Sequence, residues 1–212
     1  MTPYPEMILD CHTHKVPPCP AAIANAQPGD SLLPGQPYSL GIHPWHVPEQ
    51  PGAWLEELER QGSMPQVVSV GECGLDTLCR TPMWLQIKVF ERQAILAEAL
   101  GKPLMVHCVR TAGEIASMRR TLRATVPWVV HGFRGKPTVL RMLLEAGCHI
   151  SYGERFNATS LALTPLERIL AETDESPLPI LDIIASLSAS RGEDLLPYIS
   201  LNTNNLFKMN DI

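Results

Sequence analysis

The chain is predicted to fold as an α/β barrel of the TIM type, shortened so that one or both early helices are missing. Three observations predict this. Apolar runs recur at helix-sized intervals, each ends in a side chain of the kind that binds metals, and helical patterns with clear stop signals lie between them. Runs this apolar on both faces suit a parallel sheet covered by helices. Reactive side chains at successive strand ends belong on the carboxyl-terminal face of such a barrel.

The first run is Met7-Ile8-Leu9-Asp10-Cys11-His12-Thr13-His14. Side chains alternate along a strand, so His12 and His14 share a face. Taken alone, the pair fits a satisfied core or surface pair as well as a chelate. The next stretch, Lys15 to Pro37, carries Pro17, Pro18, Pro20, Pro28, Pro34 and Pro37. Prolines at this density prevent helices, and only one short strand, Ala21 to Ala26, is expected there. Strand pattern resumes at Tyr38 to Ile42, and Pro51 to Gly62 reads as a short helix. Gln66 to Gly71 then ends in Glu72. Met83 to Leu100 is an amphipathic helix that stops at Gly101, with Pro103 beyond. Lys102 to Val106 ends in His107, and Pro127 to Val130 ends in His131. Pro137 to Ala146 is again helical and stops at Gly147. Cys148 to Tyr152 is strand-like, with His149 structural inside it. Leu166 to Thr173 is expected as the last strand and ends in Asp174.

At 212 residues, a single domain over 1–212 has enough chain for a real core. No apolar run approaches the roughly 20 residues of a membrane span. No basic segment followed by an apolar stretch marks a signal peptide at the N-terminus. The six cysteines form no C-x-x-C pair. By strand parity Cys11, Cys73 and Cys108 should face the helix layer as reduced thiols. Free thiols fit a cytoplasmic setting. A net charge of −5 argues against tight non-specific binding to long nucleic acid.

Six segments then resemble one family in their order along the chain. They are Asp10-Cys11-His12-Thr13-His14, Gly41-Ile42-His43-Pro44-Trp45-His46, Gly71-Glu72-Cys73-Gly74-Leu75-Asp76, Pro103-Leu104-Met105-Val106-His107, His131-Gly132-Phe133-Arg134-Gly135 and Glu172-Thr173-Asp174. Together they resemble the TatD family of metal-dependent hydrolases. Asn205-Leu206-Phe207 is similar to that family's final helix. The resemblance implies a TIM barrel, two divalent metal ions and deoxyribonuclease activity. It makes His12, His14 and Asp174 ligands of one metal, His107 and His131 ligands of the second, and Glu72 the bridge. The departures fall in loops: the chain is short between Lys15 and Pro37, the sixth strand is followed by Gly132-Phe133-Arg134, and Glu175 separates Asp174 from Ser176-Pro177.

The chemistry also follows from residue type. Mixed imidazole and carboxylate donors suit zinc or manganese, and more oxygen-rich occupancy suits magnesium. A carboxylate such as Glu72 can share its oxygens between two ions, which together activate water for phosphoryl displacement. Asp174 can hold that water and take its proton, although a helix N-cap is the alternative reading of Asp174. Arg110 and Arg134 each follow a ligand by three residues, and Arg155 follows a strand. Guanidinium suits phosphate, so these three, with His43, are the substrate-binding candidates. DNA ends or short nucleotides are the expected substrates. The alternatives are an amide or lactone hydrolase on the same centre, or a non-catalytic binding descendant. The thinned flank is expected to open the groove above His12 and His14, and a homodimer through that flank is a weaker expectation.

Overall fold

The computed structural model describes residues 8–19 and 21–207. Eight parallel strands close into a barrel in sequence order. They are β1 (Asp10–Thr13), β2 (Ala22–Ala26), β3 (Tyr38–Leu40), β4 (Val67–Asp76), β5 (Leu104–Val109), β6 (Trp128–Val130), β7 (His149–Tyr152) and β8 (Ile169–Ala171). The helices are α1 (Gly52–Gly62), α2 (Met83–Leu100), α3 (Ala112–Thr121), α4 (Pro137–Glu145), α5 (Ala158–Leu163), α6 (Ile180–Arg191) and α7 (Leu196–Phe207). Among the described residues none is helical between β1 and β3, so both early helices are absent. Among the described residues no helix is long and apolar enough to cross a membrane.

The helices end as their residues dictate. Gly101 follows α2 with φ 63°, and its N–H returns to Ala97 and Glu98. That left-handed turn is cheap only for glycine or a few polar residues. Pro137 opens α4, where its fixed φ suits a first turn that needs no N–H donor.

Two apolar layers hold the barrel. Inside it, Ile23, Val68, Met105, Val129 and Leu170 cluster with Phe207. Met105, Val129 and Leu170 each stand two residues before His107, His131 and Glu172, so period two carries those polar side chains above the inner core. Outside it, Phe90, Trp128, Leu143 and Ile184 pack between sheet and helices. Phe90 and Trp128 meet edge to face at 5.4 Å, and full burial of a side chain the size of Phe90 contributes about 1.5–3 kcal/mol.

The proline-rich flank covers itself. Cys19 and Leu32 pack against Tyr38, Leu40 and Leu58. Gln36 replaces the missing secondary structure. Its amide donates to the carbonyls of Cys19, Ala22 and Pro37 and accepts from the Cys19 N–H. The cover therefore comes from the loop itself, while Phe207 joins the inner cluster.

Two expectations are corrected. Leu166–Arg168 is a 3-10 turn rather than strand, so Asp174 lies three residues past the end of β8. Cys11 does not face the helices: its thiol bonds Ser151 at 3.1 Å and it joins the inner cluster. The cause is a register slip. Asp10 pairs with Ala22 but Thr13 pairs with Ala24, so three steps on β1 match two on β2, and a bulge of this kind reverses parity. Cys73 and Cys108 do pack with the outer layer.

Candidate metal centre

A second slip builds the centre. On β4, Val70 pairs with Leu104 and Cys73 with Val106. Between them Gly71 has φ 133°, and a Cβ there would strike the Met105 carbonyl oxygen. Only glycine lets β4 approach β5 this closely with that backbone. The result turns Glu72 inward above the core.

Glu72 is the hub. Its Oε2 lies 3.3 Å from His12 Nε2 and 3.2 Å from His14 Nε2. Its Oε1 lies 2.8 Å from His107 Nδ1, 2.8 Å from His131 Nε2 and 3.0 Å from His43 Nε2. Asp174 Oδ1 stands 3.6 Å from His14 Nε2. All six sequence-derived ligands are thus brought together from β1, β4, β5 and the loops after β6 and β8. His43 joins them. It was expected as a substrate contact, but it is buried against Glu72 and 3.1 Å from His107 Nδ1.

Charge is concentrated here. Burial alone would raise the Glu72 carboxyl, but the imidazoles of His131, His107 and His12 overcome it and hold it well below the usual range. Burial disfavours a charged His131, yet Glu72 and Glu172 raise it well above its ordinary value. His14 is raised by its bond to Glu72, whereas burial lowers His43.

The donor set fits divalent cations. His12 Nδ1 is buried without a hydrogen-bond partner, and its Nε2 has only the 3.3 Å approach of Glu72 Oε2, a costly state for imidazole unless something coordinates it. Three trios have ligand atoms within 4.8 Å of one another: His12, His14 and Glu72; His12, His131 and Asp174; His43, Glu72 and His107.

Backbone and neighbouring carboxylates hold these candidate ligands in place. Asp174 N–H donates to His12 O, and His14 N–H donates to Asp174 O, so this segment is bridged to β1. Asp174 caps no helix, since α6 begins six residues later at Ile180. Asp10 accepts from both the N–H and the hydroxyl of Thr173, and burial pushes its carboxyl up to about 6.

Two further carboxylates at the site escape the sequence reading. Buried Glu172 accepts the Gly132 N–H at 2.6 Å and lies 3.5 Å from His131 Nδ1. Asp76 Oδ2 lies 3.2 Å from His107 Nε2 and accepts the Trp45 indole N–H at 2.7 Å. Period two was the available signal, since Glu172 follows Leu170 by two and Asp76 follows Glu72 by four.

The arginines divide. Arg134 and Arg155 line a pocket of about 260 Å³ with Asp174, Glu172, Glu154 and Ser176. Arg110 is exposed beyond β5 and is not among the residues lining that pocket.

The profile described as TatD related DNase matches residues 34–202. The chain is 34% identical over 184 residues to the 3'-5' ssDNA/RNA exonuclease TatD of Erwinia billingiae, covering 78% of this chain and 68% of that protein. It is 35% identical over 179 residues to the protein of the same name from Edwardsiella piscicida, covering 76% and 66%. The chain therefore spans about two thirds of the length of these relatives. Among solved structures, the TatD homologue YjjV of Escherichia coli K12 has the same fold, with a TM-score of 0.83 at 22% identity over 96% of this chain and 98% of that one.

Proposed function

This chain belongs to the TatD-related DNase family, and from that premise we propose that it is a metal-dependent phosphodiesterase acting on nucleic-acid ends or short nucleotides. One observation carries the reading. The two oxygens of Glu72 face different imidazole sets, His12 and His14 on one side, His107, His131 and His43 on the other. A carboxylate so placed suits a bridge between two ions.

In this reading His12, His14 and Asp174 would hold one divalent ion and His107 and His131 the second, with the Glu72 carboxylate available to both. Zinc, manganese and magnesium all suit the donors. When bound, such ions acidify water and offset charge on a phosphoryl group. The chain's own residues do the rest. Asp174 stands at the pocket wall, where its carboxylate can accept the proton of an attacking water. Arg134 and Arg155 reach the same pocket and donate to phosphate oxygens. Glu172 steadies His131, and Asp76 steadies His107. Two guanidinium groups beside the carboxylates favour a phosphodiester over a neutral lactone or amide.

The test is an activity screen on chelated protein reloaded with each metal in turn. Phosphodiester, phosphomonoester, lactone and amide substrates are compared. Metal-restored cleavage of phosphodiesters is expected. Turnover confined to lactones or amides would overturn the assignment.

A further inference from the structure

Among the large apolar side chains left in solvent, Trp45 stands apart because it is both exposed and held. Its side chain is 61% exposed. Its indole N–H nevertheless donates to Asp76 Oδ2 at 2.7 Å, and its backbone N–H donates to His43 Nδ1 at 3.1 Å. It sits in the 3-10 turn Pro44–His46, in the segment that follows β3 and on the face that carries Glu72 and His107. The ring centroid is 5.1 Å from that of His43 and 6.1 Å from that of His107. An exposed indole normally samples several rotamers. Here a carboxylate that also contacts His107 fixes it, so its orientation is tied to the centre itself.

We propose that Trp45 is a stacking platform for the base of the nucleotide whose phosphate enters the centre. The proposal rests on the phosphodiesterase reading and names the form of substrate that site takes. An indole offers a flat apolar surface to any base, so recognition is independent of sequence. It requires a base whose face is free, which a single strand or a frayed end provides and an intact duplex does not. Pinning the ring in advance removes part of the ordering cost of binding. The chain's net charge of −5 points the same way. With little electrostatic attraction for long phosphate tracts, stacking at the terminal nucleotide becomes a larger share of affinity.

The experiment is fluorescence anisotropy of metal-loaded protein. The probes are a short labelled single-stranded DNA with cleavage-resistant phosphorothioate linkages and the same strand lacking its terminal base. Trp45→Ala should weaken the complete strand about tenfold and leave the abasic strand unchanged. Trp45→Phe should keep most of the affinity, because it preserves a ring while losing the bond to Asp76. Equal weakening of both strands by Trp45→Ala would place the residue's effect in Asp76 and His107 and overturn the proposal. So would unchanged binding of the complete strand. Cleavage of the unmodified strand by wild type, measured alongside, reports separately on the phosphodiesterase reading.

Discussion

Glu172 Oε1 lies 3.5 Å from His131 Nδ1, while the opposite ring nitrogen of that histidine lies 2.8 Å from Glu72. The imidazole thus lies between two buried carboxylates, hydrogen-bonded to Glu72 and in ionic contact with Glu172. A carboxylate behind a ligand histidine sets its tautomer and aim.

Glu172→Gln should therefore weaken metal binding by about 10–100-fold, the usual cost of losing such support. Titration of chelated protein with zinc, followed calorimetrically, reads this directly. An affinity equal to wild type would show that Glu172 serves only the Gly132 N–H.

Glu72→Ala should remove the shared ligand, and elemental analysis should find less divalent metal per chain than in wild type. Undiminished metal content would take Glu72 out of the bridge. In wild type, chelation should lower the melting temperature, because a ligand present at about 100 times its dissociation constant stabilises by about 2.7 kcal/mol. The same chelator should shift the Glu72→Ala variant less.

Arg134→Ala should weaken a phosphodiester substrate by about 1–3 kcal/mol, the scale of a lost charge-assisted hydrogen bond. Folding should be unaffected, since Arg134 is exposed. Arg110→Ala should cost less, because Arg110 lies outside the pocket shared by Arg134, Arg155 and Asp174. Steady-state kinetics at low salt compares them, and equal kinetics for Arg134→Ala and wild type would exclude Arg134 from the phosphate site.

His149 gives a pH prediction away from the centre. Burial pushes it down to about 4, helped by the charges of Arg168 and Arg119, and its Nε2 sits 3.1 Å from Arg168 Nη1. The unfolded chain regains the ordinary histidine value of about 6.5. Between those values the unfolded state binds more protons, so stability rises with pH. His149 thus contributes fully above about pH 6.5 and loses up to about 3 kcal/mol as pH falls toward 4. Urea unfolding at several pH values should show a shallower acid loss for His149→Gln than for wild type. Parallel pH profiles would refute it.

What the sequence alone determined follows from periodicity and backbone chemistry. Apolar runs at helix-sized spacing specify a parallel barrel, Gly101 and Gly147 mark where α2 and α4 end, and the prolines of Lys15 to Pro37 forbid the early helices. His12, His14, Glu72, His107, His131 and Asp174 could be read as candidates for one site because each lies at or just beyond the end of an apolar run. Only the tertiary structure decided the rest. Cys11 turned inward because β1 slips against β2, and Leu166–Arg168 became a 3-10 turn because the strand is needed only from Ile169 onward to pair with β7. His43, Glu172 and Asp76 entered the centre because strands distant in sequence bring their ends to one face. Alternation along a single strand says which side chains share a face. It cannot say which side chains from other strands will meet them, because closure and register slips are properties of paired strands.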